Sequence, residues 1–257
     1  MFKQGNTHHY KNPAVYKRFK SASYTTGTTL ATGTYGLTFA NAAYNYMTFP
    51  NAGAMFPEGR PFTFEWYGEL NDTNRSTGTT SLVFSIGKQG DTKNAVAIQF
   101  AGGKIYLNMY DSTGTQKSFI TTTAVVNAAS NGMHRFGISY DRTSSAVRNV
   151  LITMDGVNIA TTTSGTGTGL TDVYTNTRFW VGANAWGAPT LTANHYAGDI
   201  AKIHISPYAR SSADMIKRQA DVSKLFPVDR YSMCDWDYKN GLRTRWKGIN
   251  SSRKYSG

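Results

Sequence analysis

Pro61-Phe62-Thr63-Phe64-Glu65-Trp66-Tyr67-Gly68-Glu69-Leu70 alternates apolar and polar residues with a period of two. Phe62, Phe64, Trp66 and Gly68 fall on one side of an extended chain, and Thr63, Glu65, Tyr67 and Glu69 fall on the other. That is the pattern of a strand with one face in a core. The same alternation predicts strands over 82–86, 95–100, 104–110, 117–122, 135–140, 150–154, 178–181 and 200–205. Between them stand Gly102-Gly103, Asp111-Ser112-Thr113-Gly114, Asn131-Gly132 and Asp155-Gly156, all turn formers. The 33 threonines suit strands, because a β-branched side chain is stiff and packs well on a pleated surface. Many short strands joined by turns predict an all-β antiparallel sandwich or barrel.

One helix interrupts the pattern. Ser211-Ser212-Ala213-Asp214 is a capping-box-like start. Met215, Ile216, Gln219, Val222 and Phe226 then recur at helical spacing until Pro227. A short closing helix over 211–226 is expected to pack on the sandwich. No internal repeat is present, and Thr161–Gly169 reads as a flexible surface loop by composition.

The chain has 257 residues, 40% of them hydrophobic and 16% charged, enough apolar content for a real core. A single cysteine, Cys234, excludes an intramolecular disulfide and a multi-cysteine metal site. No apolar run reaches the ~20 residues of a membrane span, and the N-terminus lacks the apolar core of a signal peptide. The expectation is a protein made in the cytoplasm with no membrane insertion. Its net charge of +12 is uneven: +5 over residues 1–24, +1 over 25–207 and +6 over 208–257. The domain reading follows that division: a basic N-terminal arm and lead-in over 1–34, the sandwich with its closing helix over 35–228, and a basic aromatic extension outside the sandwich over 229–257.

Several segments resemble a known family. Gly132-Met133-His134-Arg135-Phe136-Gly137-Ile138-Ser139-Tyr140-Asp141, followed by Val150–Gly156, is similar to a recurring strand pair of concanavalin A-like, laminin G-like domains. Phe179–Ala183 resembles a later strand of that family. Gly198–Ile205 with the Ser211–Phe226 helix resembles its closing strand and turn. The resemblance spans roughly residues 35–226 and implies a jelly-roll sandwich, a fold used for sugar binding, protein contacts and some glycan hydrolysis. Fold alone does not choose among these.

Glu65 and Glu69 are the sharpest catalytic candidates, since paired carboxylates serve glycoside hydrolysis. The family's glucanases carry an E-x-D-x-E strand, and here Tyr67 replaces the central acid. At ~3.3 Å per residue the two lie about 13 Å apart at the backbone, so two solvated glutamates on an outer face is the preferred reading. No catalytic residue is assigned and the protein is expected not to be an enzyme. His134 and His204 read as structural histidines, and Cys234 as a partly buried structural thiol. Asp72, Asp91, Asp111, Asp155 and Asp172 are loop candidates for calcium but lack the dense spacing of a dedicated loop, so neither metal nor other cofactor is expected.

Trp180, Asn184 and Trp186 are candidate glycan contacts, a tryptophan being able to stack on a sugar face. Lys17, Arg18, Lys20, Lys239, Arg243, Arg245, Trp246, Lys247, Arg253 and Lys254 are candidate contacts to an acidic protein surface or nucleic acid. A solvated tail, or one docked on an acidic neighbour, is preferred to direct nucleic-acid binding, because no nucleic-acid-binding motif accompanies the charge. The leading expectation is a non-enzymatic virion structural protein of a phage or virus, a homo-oligomer held by protein contacts and located in the virion. The alternative is a lectin-like carbohydrate-binding module, and a glycoside hydrolase ranks below both.

Overall fold

The computed structural model describes residues 18–19, 31–32, 37–39, 46–49, 61–70, 80–87, 91–126, 132–142, 148–167, 178–183, 195–206, 208–220, 234–237 and 241–243. In chain order the strands are β1 (Arg18–Phe19), β2 (Ala31–Thr32), β3 (Leu37–Phe39), β4 (Met47–Phe49), β5 (Phe62–Leu70), β6 (Ser81–Gly87), β7 (Ala95–Ala101), β8 (Lys104–Tyr110), β9 (Gln116–Thr121), β10 (His134–Arg142), β11 (Arg148–Met154), β12 (Val157–Ile159), β13 (Thr161–Ser164), β14 (Arg178–Val181) and β15 (Gly198–Ser206). Helix α1 (Ser212–Ala220), β16 (Cys234–Asp237) and β17 (Gly241–Arg243) complete the order. The fold is a jelly-roll β-sandwich of two antiparallel sheets with one short helix.

The ten-stranded sheet runs β1-β17-β16-β15-β5-β10-β11-β12, with β2 and β3 joining at β15. The seven-stranded sheet runs β13-β9-β8-β7-β6-β14-β4. Their inner faces meet in one aromatic core. Phe64 stacks on Phe84 across the sandwich with centroids 4.2 Å apart, and Trp66 lies flat on Phe136 at 4.7 Å. Phe100 meets both Trp66 and Phe136 edge-on, the arrangement ring quadrupoles favour. The alternation of residues 62–70 holds as expected: Phe62, Phe64, Trp66 and Leu70 are all buried in this core.

Turn chemistry sets the register. Gly102 and Gly103 both have positive φ, closing a two-residue hairpin in which Ala101 faces Lys104. Asp155 (φ 50°) and Gly156 (φ 82°) close a second one, with Met154 facing Val157. Both are the mirror-image turns whose twist matches that of the flanking strands.

Helix α1 begins as its sequence implies, with the Asp214 amide donating to Ser211 Oγ at 3.2 Å. It lies on the outward face of β10, β11 and β12, with Arg218 reaching Glu65 on β5, and buries Met215, Arg218 and Gln219. Gly137 on β10 makes room for it: a Cβ there would stand 2.5 Å from Met215 Cε and 2.8 Å from Gln219 Nε2. Residues 221–226 of the expected helix lie outside the described residues.

Two expectations change. Residues 234–237 and 241–243, read as part of an extension outside the sandwich, are strands of the ten-stranded sheet: β16 pairs with β15, and β17 with β16. Within the N-terminal arm, β1 pairs with β17, setting Arg18 opposite Arg243, and β2 pairs with β3. The reason is an open edge. Beyond β5, strand β15 offers a second row of backbone groups, which β3 takes at Gly198–Ile200 and β16 takes at Lys202–Ile205. Charge patterning marks solubility and partners but does not report that hydrogen-bonding need.

Candidate functional site

The outward faces of the two sheets differ in what they hold. On the ten-stranded sheet, Glu65 is fully buried, contrary to the expectation of a solvated carboxylate. Arg218 Nε donates to its two oxygens at 3.0 and 3.2 Å, and the Arg218 terminal nitrogen lies 2.9 Å from Oε2. Arg210 approaches the same carboxylate at 3.8 Å and pairs with Asp214 at 2.6 Å. The cause is α1, which covers this part of the sheet and brings Arg218 down onto it. A carboxylate occupied in this way fastens the helix and is closed to a substrate. Glu69, half-buried on the same face, stands opposite Asp199 on β15.

The histidines have structural surroundings. His134 Nδ1 is 2.6 Å from Asp155 Oδ2, while Asp155 Oδ1 accepts from the Arg135 amide at 2.8 Å. Partial burial pushes the Asp155 carboxyl up, but the His134 bond, the Arg135 amide and the two nearby positive groups outweigh it and hold it below its ordinary range. His204 is buried beside Ser206. Asp111 uses one oxygen to accept from the Thr113 and Thr115 amides, and Asp91 accepts from the Lys93 amide. Among the described residues no group of three or more His, Cys, Asp or Glu is placed to hold a metal ion.

The seven-stranded sheet turns a different face outward. None of its strands contains an aspartate or glutamate. On β8 the inward residues are Ile105, Leu107 and Met109, all in the core, so Lys104, Tyr106, Asn108 and Tyr110 point outward. Cross-strand register extends this row by row. Gln99, Tyr106, Ile120 and Thr162 are neighbours; Ala97, Asn108, Ser118 and Ser164 form the next row; Ala95, Tyr110 and Gln116 form the third.

At the centre is a closed set of bonds. Gln116 Nε2 donates to Asn108 Oδ1 at 3.0 Å and to Ser118 Oγ at 2.7 Å, and Ser118 Oγ donates to Asn108 Oδ1 at 2.8 Å. This fixes both amides. Asn108 is buried, 3% exposed, with its NH2 turned away from these bonds, and the exposed Gln116 presents its carbonyl oxygen. Tyr106 and Tyr110, both half-buried, stand on either side of Asn108 along the strand. Burial raises the Tyr110 phenol, so it stays protonated and able to donate. Aromatic faces beside a fixed amide acceptor can stack on an apolar ring face and hydrogen-bond hydroxyl groups.

Of the residues singled out in the sequence, Trp180 joins this face. It stands opposite Ser85 and Thr48, in the same row as Asn108 but three strands away, about 14 Å at the usual strand spacing. Tyr46 packs against it at 4.7 Å, and Ser85 between the two regions donates to the Ala183 carbonyl at 2.7 Å. Asn184 and Trp186 lie outside the described residues, as do Lys17, Lys20, Lys239, Arg245, Trp246, Lys247, Arg253 and Lys254. Arg18 and Arg243 are placed as backbone partners in β1 and β17. Sequence reasoning missed Tyr106, Asn108, Tyr110 and Gln116. The signal was the outward half of Lys104–Tyr110, a polar-aromatic set opposite a purely apolar one.

No protein-family model matches the sequence. No curated protein matches it either. Solved structures do resemble the fold. The heptameric SAP-like pentraxin of Limulus polyphemus aligns at 10% identity over 82% of this chain and 87% of its own, with a TM-score of 0.52. The NanB sialidase of Streptococcus pneumoniae aligns at 14% identity over 72% of this chain but 27% of its own, with a TM-score of 0.53. The CBM40 of the Ruminococcus gnavus IT-sialidase, solved with alpha2,3 sialyllactose, aligns at 15% identity over 65% and 85%, with a TM-score of 0.49. The likeness to the first two is one of fold.

Proposed function

We propose that this protein is a non-catalytic carbohydrate-binding sandwich that takes a glycan on the outward face of its seven-stranded sheet. The observation that carries the reading is the pair of half-buried outward tyrosines, Tyr106 and Tyr110, beside the exposed Gln116, whose Nε2 is held by Asn108 and Ser118 so that its carbonyl oxygen is presented. Sugars combine apolar ring faces with hydroxyl groups that both donate and accept, and this set offers partners for each. A glycan array followed by calorimetric titration of the best binder tests it. The expected outcome is binding by the wild type and a loss of about tenfold or more in Tyr106→Ala, the scale of one stacking contact. The melting temperature of that variant stays near the wild type. No binding on the array, or an unchanged affinity in Tyr106→Ala, overturns the reading.

A second reading is a virion structural component that assembles through its basic ends. The observation favouring it is the pairing of β1 with β17, which brings the two basic termini together at one sheet edge. Deleting residues 229–257 would remove β16 and β17 from the sheet, so charge reversal is the cleaner test. Arg18→Glu with Arg243→Glu is expected to abolish assembly, read as mass by light scattering, while leaving the fold intact. A wild type that remains a monomer across concentration contradicts this reading.

A further inference from the structure

At one margin of the sandwich the chain passes from the ten-stranded sheet to the seven-stranded one, from β12 into β13. Each is the last strand of its sheet among the described residues. Thr162, Thr163, Ser164, Gly165 and Thr166 are all exposed, and none of the described residues pairs with the far side of β13. The Thr122 amide donates to the Ala160 carbonyl at 2.9 Å, which fixes the phase of the ladder between β13 and β9. By alternation Thr162 and Ser164 turn their backbone groups to β9, and Thr161 and Thr163 turn theirs outward. Two main-chain donors and two acceptors therefore face away from the protein.

Folded proteins usually blunt such an edge with a lysine, a proline or a bulge. Here residues 156–171 contain no charged residue and no proline, and β13 pairs with β9 without a register shift. Lys117 on β9 is tied to the Gly165 carbonyl at 3.1 Å. On β12 the same margin shows Val157, 60% exposed and the one large hydrophobic residue exposed among the described residues.

Charge and symmetry decide which partner fits. A chain of net charge +12 repels its own copies, and least where it carries no charge. Arg18 and Arg243 lie at the opposite end of the ten-stranded sheet from β12. The run Thr161-Thr162-Thr163 also reads the same in both directions. A copy turned about a two-fold axis at Thr162 sets Thr161 of each chain opposite Thr163 of the other. All four outward groups are then bonded, and the two Thr162 side chains meet.

We infer that β13 is a dimerisation edge, pairing antiparallel with β13 of a second copy and joining two seven-stranded sheets into one of fourteen strands. This goes beyond the glycan reading and does not depend on it. With the axis normal to the sheet, both outward faces stay on one side, and the two copies of Tyr106 stand five strand spacings, about 24 Å, apart.

Sedimentation equilibrium across a concentration series tests the inference. The contact is small, so the mass is expected to level off at two chains with a dissociation constant of roughly 1–100 μM. Thr163→Pro removes an outward amide without a bond to β9, and Thr162→Lys sets two like charges face to face. Each is expected to weaken association by about tenfold or more while the melting temperature stays near the wild type. Thr162→Cys is expected to give a disulfide-linked dimer under mild oxidation, since the facing residues lie about 4.5 Å apart at Cα. The wild type, with Cys234 alone, is expected to give none. A wild type that stays monomeric at several hundred micromolar overturns the inference, as does a dimer that survives both Thr162→Lys and Thr163→Pro. A dimer lost only in Arg18→Glu with Arg243→Glu also overturns it, and moves the contact to the opposite edge.

Discussion

The two sheets of this sandwich differ in where their charge lies. The ten-stranded sheet carries Glu65, Glu69, Asp199, Lys202 and His204 along its central strands. Helix α1 covers part of that face, and its Arg218 closes on Glu65. The seven-stranded sheet has no carboxylate in any strand; in its β8–β9 region Tyr106 and Tyr110 are half-buried and Gln116 is exposed, while Asn108 and Ser118 are buried. The comparison teaches that outward position on a strand has no fixed meaning. The same alternation yields buried outward positions where the chain packs across the sheet, as at Glu65, Ser85 and Ala97, and partly open ones at Tyr106 and Gln116.

The sharpest way to break the comparison is to remove the charge under the helix. Glu65→Ala leaves the Arg218 and Arg210 guanidinium groups buried without their carboxylate, and is expected to cost about 3–5 kcal/mol in chemical denaturation. A loss below 1 kcal/mol would mean that the helix does not depend on this pair. Next in size is Gly137→Val, whose added atoms meet Met215, Gln219 and Thr153 under α1. It is expected to destabilise by about 1–3 kcal/mol, the cost of overpacking. Neither substitution touches the seven-stranded sheet, so glycan affinity measured on the folded fraction should stay at the wild-type level.

A smaller effect sharpens the picture at the β11–β12 turn. The Asp155 carboxyl is held below its ordinary range in the folded state. A depressed carboxylate stabilises the fold above its unfolded pKa, about 3.9, and that contribution is lost as pH falls below it. Asp155→Asn should therefore lower stability at neutral pH and flatten its decline between roughly pH 4 and pH 2. An unchanged acid limb in urea melts would show that the His134 contact carries no linkage.

Much of the fold is legible in the chain because short-range chemistry specifies it. Gly102-Gly103 and Asp155-Gly156 can close their hairpins with positive φ, and Phe62, Phe64 and Trp66 alternate into one core. Ser211 caps its helix as its position suggests. What remained hidden depends on distant partners. The burial of Glu65 follows from a helix 153 positions away in sequence, and local alternation reports only that Glu65 points out of the core. The strands β16 and β17 fill an edge that exists only once β15 is placed. The candidate site was half legible: Trp180 shares the outward face, whereas the network joining Asn108, Gln116 and Ser118 needs the β8–β9 register to bring residues together.

The central claim is that this outward face binds a glycan at Tyr106 while the opposite face serves stability. Melting wild type and Tyr106→Ala with and without the glycan that the array identifies tests it most directly, since a ligand that binds only the folded state raises the melting temperature by an amount set by its concentration relative to its Kd. The account predicts near-equal melting temperatures without ligand, a clear rise for the wild type with ligand, and a markedly smaller rise for Tyr106→Ala. An equal rise in both proteins would contradict it.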